Sequence, residues 1–203
     1  MKKYLSLILI SALILSACGK KNTTAEISPT PTPRLVELEV QDRPEISLIP
    51  RSDGHELTLR LASISSNITR IEYEITYIAN DNGLEIEKGA SGIFESSDIA
   101  PGKSDKKILL GTESCTSGCK YKYDEGITGG NVSLIFTTAN NQISTFTTPF
   151  ILRSAADVKK AGKLIWTEED FTYTPPKFTG INFFIALKDY KNASYLVTSN
   201  ASL

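Results

Sequence analysis

Two cysteines, one histidine and scattered carboxylates have the side-chain types that do chemistry in this 203-residue chain. Cys115 and Cys119 lie in CTSGC, with three residues between the sulfurs. That spacing fits a disulfide closing a tight loop, for which Thr116, Ser117 and Gly118 are good turn formers. A redox pair normally has two intervening residues, and a zinc site needs more ligands than a chain with His55 as its single histidine readily supplies. His55 sits in RSDGHELT, a turn entering a strand, where a solvent-exposed histidine is expected. A hydrolytic triad would use it as a base, yet no G-x-S-x-G nucleophile motif occurs. No catalytic residue, metal ligand or cofactor follows from these residues.

The carboxylates and aromatic rings are less specific. Asp124 and Glu125 in YKYDEG, and Glu168, Glu169 and Asp170 in TEED, lack the spacing of a calcium loop. Asn80, Asp81 and Asn82 in NDNG are calcium-like in composition, but hairpin-turn chemistry accounts for them. Thr128-Gly129-Gly130 reads as a turn before a strand, not as a phosphate loop. A carboxylate-only glycosidase stays open, and it needs two acidic side chains facing each other across a cleft, roughly 5 to 10 Å apart. Tyr121, Tyr123, Trp166, Phe171, Tyr173 and Phe178 could gather at one end of the fold and serve protein or carbohydrate recognition. Core packing and cross-strand pairing are the commoner uses of such rings.

A third cysteine, Cys18, stands in a different context. Lys2 and Lys3 precede an apolar run from Tyr4 to Leu15, the charged and hydrophobic regions of an export signal. A membrane-spanning helix needs about 20 apolar residues, and Gly19, Lys20 and Lys21 end this run well short of that. The stretch Leu15-Ser16-Ala17-Cys18 resembles the lipobox of bacterial lipoproteins. The resemblance implies diacylglycerol on the Cys18 sulfur, cleavage between Ala17 and Cys18, and Cys18 as the mature first residue. Acyl chains anchor at about 0.8 kcal/mol per buried methylene, so two chains hold stably where one does not. The bilayer is then the partner, on the outer face of the cytoplasmic membrane or at an outer membrane; Gly19, in place of aspartate, gives no argument for inner-membrane retention. The alternative is a secreted protein with a stray cysteine, an unpaired thiol being a liability in an oxidising compartment. With Cys18 lipidated, Cys115 and Cys119 remain as an even pair, which favours the disulfide. The NIT, NVS and NAS triplets match the N-glycosylation pattern, which a bacterial lipobox makes irrelevant.

Composition and patterning set the elements that must carry these groups. Hydrophobic residues make up 40% and charged residues 22%, an ordinary globular balance. Loss of Lys2 and Lys3 with the signal turns 22 basic residues into 20 against 23 acidic ones, a net of about −3. No nucleic-acid partner is implied. Residues 18–34 form a tether whose Pro/Thr alternation favours polyproline II; at about 3.1 Å per residue it reaches up to ~50 Å. From Leu35 the period is two, the mark of half-buried strands. Strands are expected at Val36 to Val40, Leu57 to Leu61, Ile71 to Tyr77, after the NDNG turn, at Lys106 to Gly111, Asn131 to Thr138 and Ile143 to Leu152. About seven short strands over residues 35–153 fit an all-β fold, an immunoglobulin-like or fibronectin-III-like antiparallel sandwich, with a small barrel as second choice. Residues 154–203 read as a β-rich extension packing on it, with a short helix or linker at 154–162. The functional expectation is an envelope lipoprotein displaying a non-catalytic binding or structural module to a protein or glycan. A hydrolase, or an assembly factor recruiting partners through a sheet edge, is the alternative.

Overall fold

Leu57, Leu59 and Leu61 alternate with Thr58 and Arg60, and all three leucines are fully buried in a computed structural model that describes residues 32–99 and 103–202. They lie on β3 (Glu56–Ala62), flanked by β2 (Glu45–Pro50) and β6 (Lys103–Leu109) in a three-stranded antiparallel sheet. This sheet packs its apolar face on a larger one built on β4 (Ile68–Asp81), β5 (Leu84–Phe94), β9 (Gly129–Thr138) and β10 (Gln142–Ser154). Ile46, Leu48, Leu57, Leu59, Leu61 and Ile108 from one side meet Ile71, Ile75, Val132, Leu134 and Phe136 from the other. The sheet orders are β2-β3-β6 and β10-β9-β4-β5. These are the A-B-E and G-F-C-C′ places of an immunoglobulin-like sandwich. A two-stranded hairpin, β7 (Gly111–Cys115) and β8 (Cys119–Tyr123), is inserted between E and F.

The last fifty residues form a β-rich extension that packs on the sandwich by continuing its larger sheet. β13 (Phe183–Lys188) pairs with β10, and β14 (Tyr195–Ser199) pairs with β13. The run FFIAL in β13 is apolar throughout because both faces of the strand are covered. Ile185 and Leu187 enter the sandwich core, whereas Phe184 and Ala186 face a second cluster with Ile151, Val158, Leu164 and Trp166. That cluster is roofed by α1 (Ala155–Ala161) and by the hairpin of β11 (Leu164–Trp166) and β12 (Phe171–Tyr173). α1 is a helix and not a linker because Ser154 caps it, accepting from the Asp157 amide at 3.1 Å, and Gly162 ends it at φ 77°.

The strand expected at Val36 to Val40 does not form. Only Arg34–Leu35, β1, pairs with β10, in parallel, after which the Leu38 carbonyl accepts from Arg43 Nε at 2.9 Å and Val40–Asp42 makes one 3-10 turn. A side chain has taken the acceptor that a ladder would need. β2, by contrast, was masked in the sequence by Pro44 and Pro50 at its ends. Thr198 of β14 donates its hydroxyl to the Leu48 carbonyl of β2, so one seam between the sheets is bridged by a side chain. β5 and β6 end their sheets at the other seam, and the fold is a sandwich, not a closed barrel.

Candidate functional site

The turn between β2 and β3, the β4–β5 turn and the inserted hairpin lie together at one end of the sandwich, opposite the end where β1 joins β10. Leu110, fully buried, follows β6, and Gly111 then turns the chain into the hairpin at φ 150°. A Cβ at Gly111 would stand 2.3 Å from the Lys122 carbonyl oxygen, so only glycine permits this approach. Register pairs Cys115 with Cys119, Glu113 with Tyr121 and Gly111 with Tyr123, which puts the disulfide and both tyrosines on one face. Thr112 with Lys122 and Ser114 with Lys120 occupy the other. Cys115 and Cys119 are joined, as their spacing predicted.

The base of the hairpin carries a ring stack. Tyr123 lies 4.2 Å from His55 with planes 9° apart, and Tyr121 follows 6.0 Å from Tyr123. The Arg51 guanidinium stands 5.8 Å from the Tyr123 centroid and donates to Asp53 at 2.7 Å and to Glu56 at 3.3 Å. The Arg51 hydrogen bond, helped by one from the His55 amide, holds the Asp53 carboxyl down at about 2. His55 is half-buried in this stack, not the solvent-exposed turn residue its local sequence predicted, because Tyr123 arrives from 68 positions away to cover one ring face. Glu113, Cys115 and Cys119 have ligand-type atoms within 4.8 Å of one another. Both sulfurs are committed to the disulfide, and it is the thiolate that binds metal.

Asp124, the next residue along, is buried. Its Oδ2 accepts from the Tyr77 hydroxyl at 2.9 Å and its Oδ1 from the Lys88 ammonium. Burial first, then Asp124, pushes the Tyr77 hydroxyl well above the usual tyrosine range. The Asp124 amide donates to Leu110 O at 3.0 Å and Glu125 O accepts from Asn80 N at 2.8 Å, so this segment ties hairpin, β4 and β5 together. No local pattern marked Asp124; its partners lie 47 and 36 positions away.

The remaining aromatic residues divide instead of gathering at one end. Trp166, Phe171, Tyr173 and Phe178 belong to the second core, where Tyr195 stacks on Phe171 at 4.4 Å and Phe178 meets Phe184 edge-on at 5.9 Å. NDNG is a two-residue hairpin turn with Asn82 and Gly83 both at positive φ and the Gly83 amide donating to Asn80 Oδ1 at 2.8 Å. The Asn80 and Asn82 carboxamides and the Gly83 amide are spent on the turn.

On the outward face of the larger sheet, Glu72, Glu74, Ser91, Ser133 and Ile135 line a shallow cavity of about 410 Å³. Glu72 is paired with Arg70 at 3.2 Å. The two glutamates are i and i+2 on β4, so their carboxylates rise side by side from one floor and do not face each other across a bound sugar. Ala17 and Cys18 lie outside the described residues. Comparison with protein-family models, with curated proteins and with solved structures finds no match for this chain.

Proposed function

We propose that the chain is a lipid-anchored bacterial envelope protein that displays its sandwich as a non-catalytic binding module. The observation that carries this reading is Leu15-Ser16-Ala17-Cys18 behind a short apolar run and ahead of a Pro/Thr tether. The Pro/Thr composition of the tether suits reach, and the described chain enters the sandwich through β1 at the end holding the β9–β10 turn. The opposite end carries the disulfide-tipped hairpin, whose residues contribute nothing to the core. A module held this way meets partners with its exposed strands and turns, and the alternatives of a glycan-acting hydrolase or an envelope assembly factor would use other groups. The hydrolase needs facing carboxylates, for which the Glu72 and Glu74 placement is unsuited.

Metabolic labelling with a fatty-acid analogue tests the anchor. The wild-type chain is expected to take up label, and Cys18→Ser is expected to lose it and accumulate as an unprocessed precursor. Label retained by Cys18→Ser overturns the assignment.

A further inference from the structure

We infer that the free edge of β5 is a strand-pairing site for an extended, basic peptide segment of a partner protein, one that alternates Lys or Arg with aliphatic residues. β5 is eleven residues long and ends the larger sheet, with β4 on one side and, among the described residues, no strand on the other. Such an edge presents a row of unpaired backbone N–H and C=O groups, and native sheets normally guard it with proline, a bulge or charge. β5 has no proline, and its one lysine, Lys88, is turned inward onto Asp124.

Beyond Tyr77, where pairing with β9 stops, β4 is bridged to Glu125 at Asn80, and β5 continues beside β4 with its far edge unpaired among the described residues. Here the two faces of β5 differ in chemistry. Glu85 and Glu87 sit opposite Asn80 and Ile78 on the outward face; both are exposed and form no ion pair among the described residues. Leu84 and Ile86 lie on the inward face past the end of the core, 68% and 38% exposed. A strand added to this edge must match both: cations beside Glu85 and Glu87, aliphatic side chains beside Leu84 and Ile86.

A second copy of the chain fits poorly. In an antiparallel two-fold pairing, opposed residues share a face, so both copies would crowd Glu85 and Glu87 onto one side and Lys88 onto the other. The charges that repel a copy attract a basic strand, and this is how an edge gains specificity. The inference rests on reading the domain as a binding module, but not on the lipid anchor.

Amide hydrogen–deuterium exchange of the full chain in detergent tests it, using a nine-residue peptide of alternating lysine and valine as probe. The peptide is expected to slow exchange at least tenfold across residues 84–94. The same peptide N-methylated at every second residue, which cannot complete the ladder, is expected to lose the effect, and so is a glutamate–valine peptide. Glu85→Lys with Glu87→Lys is expected to weaken binding at least tenfold while Trp166 fluorescence stays unchanged. Protection at residues 111–123 instead of 84–94 overturns the edge and leaves a binding module standing. Equal binding by the N-methylated peptide overturns strand pairing. Slowed exchange in β5 on raising protein concentration without peptide overturns the choice of partner in favour of a second copy.

Discussion

The Tyr77 hydroxyl donates to Asp124 across 47 positions of sequence, and the carboxylate that receives it also holds Lys88. The Asp124 side chain is 4% exposed, while Lys88 keeps 29% of its surface in water. Desolvation therefore falls on the acid, and the two donors offset it. Asp124→Ala leaves the Tyr77 hydroxyl buried without its acceptor and frees the hairpin base, and should lower stability by about 3 kcal/mol. Tyr77→Phe, which leaves the Lys88 partner in place, should cost about 1 to 2 kcal/mol. Urea unfolding monitored by circular dichroism checks the order.

The same contact sets an alkaline limit. Folding raises the Tyr77 pKa, so the stability it contributes is complete below the ordinary tyrosine value near 10 and is lost as pH climbs beyond it. Wild-type stability should fall above about pH 10, and Tyr77→Phe should fall less steeply over the same range. Denaturant midpoints between pH 8 and 12 measure this, and parallel curves would contradict it.

The hairpin and the core should respond independently to loss of the disulfide. Closing so short a loop removes about 2 kcal/mol or less of unfolded-state freedom on the loop-entropy account. Since β7 and β8 lend no side chain to either apolar cluster, Cys115→Ser with Cys119→Ser should loosen residues 111–123 alone. Amide chemical shifts should move there and in Arg51 and His55, which touch Tyr123, and the urea midpoint should change little.

Two apolar clusters on opposite faces of β13 should unfold together. Trp166 reports the second cluster and the sheet signal reports the first, so fluorescence and circular dichroism transitions should coincide. A chain ending at Arg153 would lose Ile185 and Leu187 from the sandwich core and is expected to show no cooperative transition. A cooperative transition in that truncated chain would show that residues 35–153 fold without the extension.

Backbone approach, not side-chain packing, should decide Gly130. It sits in β9 where a Cβ would fall 2.0 Å from the Thr76 carbonyl oxygen. Gly130→Ala must push β4 and β9 apart, and a loss of about 3 kcal/mol is expected in the same urea assay.

What the sequence determined by itself was local. Period-two alternation located β3, β4, β9 and β10, since a strand must turn every second residue to the core whatever it pairs with. The NDNG turn and the Cys115–Cys119 loop were legible for the same reason: their bonds close within five residues. Proline-flanked β2 was missed, and Val36 to Val40 looked like a strand, because alternation does not reveal whether a segment's own carbonyls, such as that of Leu38, are left free to pair. Tertiary structure alone decided the rest. Tyr123 over His55 and Asp124 beneath Tyr77 depend on segments more than forty positions apart, and β13 buried on both faces depends on strands and a helix outside any local window. Nothing in a local window encodes which distant strand becomes the neighbour, since that choice is made by the joint burial of all the strands. The open edge of β5 is a product of the same choice: its residues alternate like any strand's, and only the sheet order left that edge without a strand among the described residues.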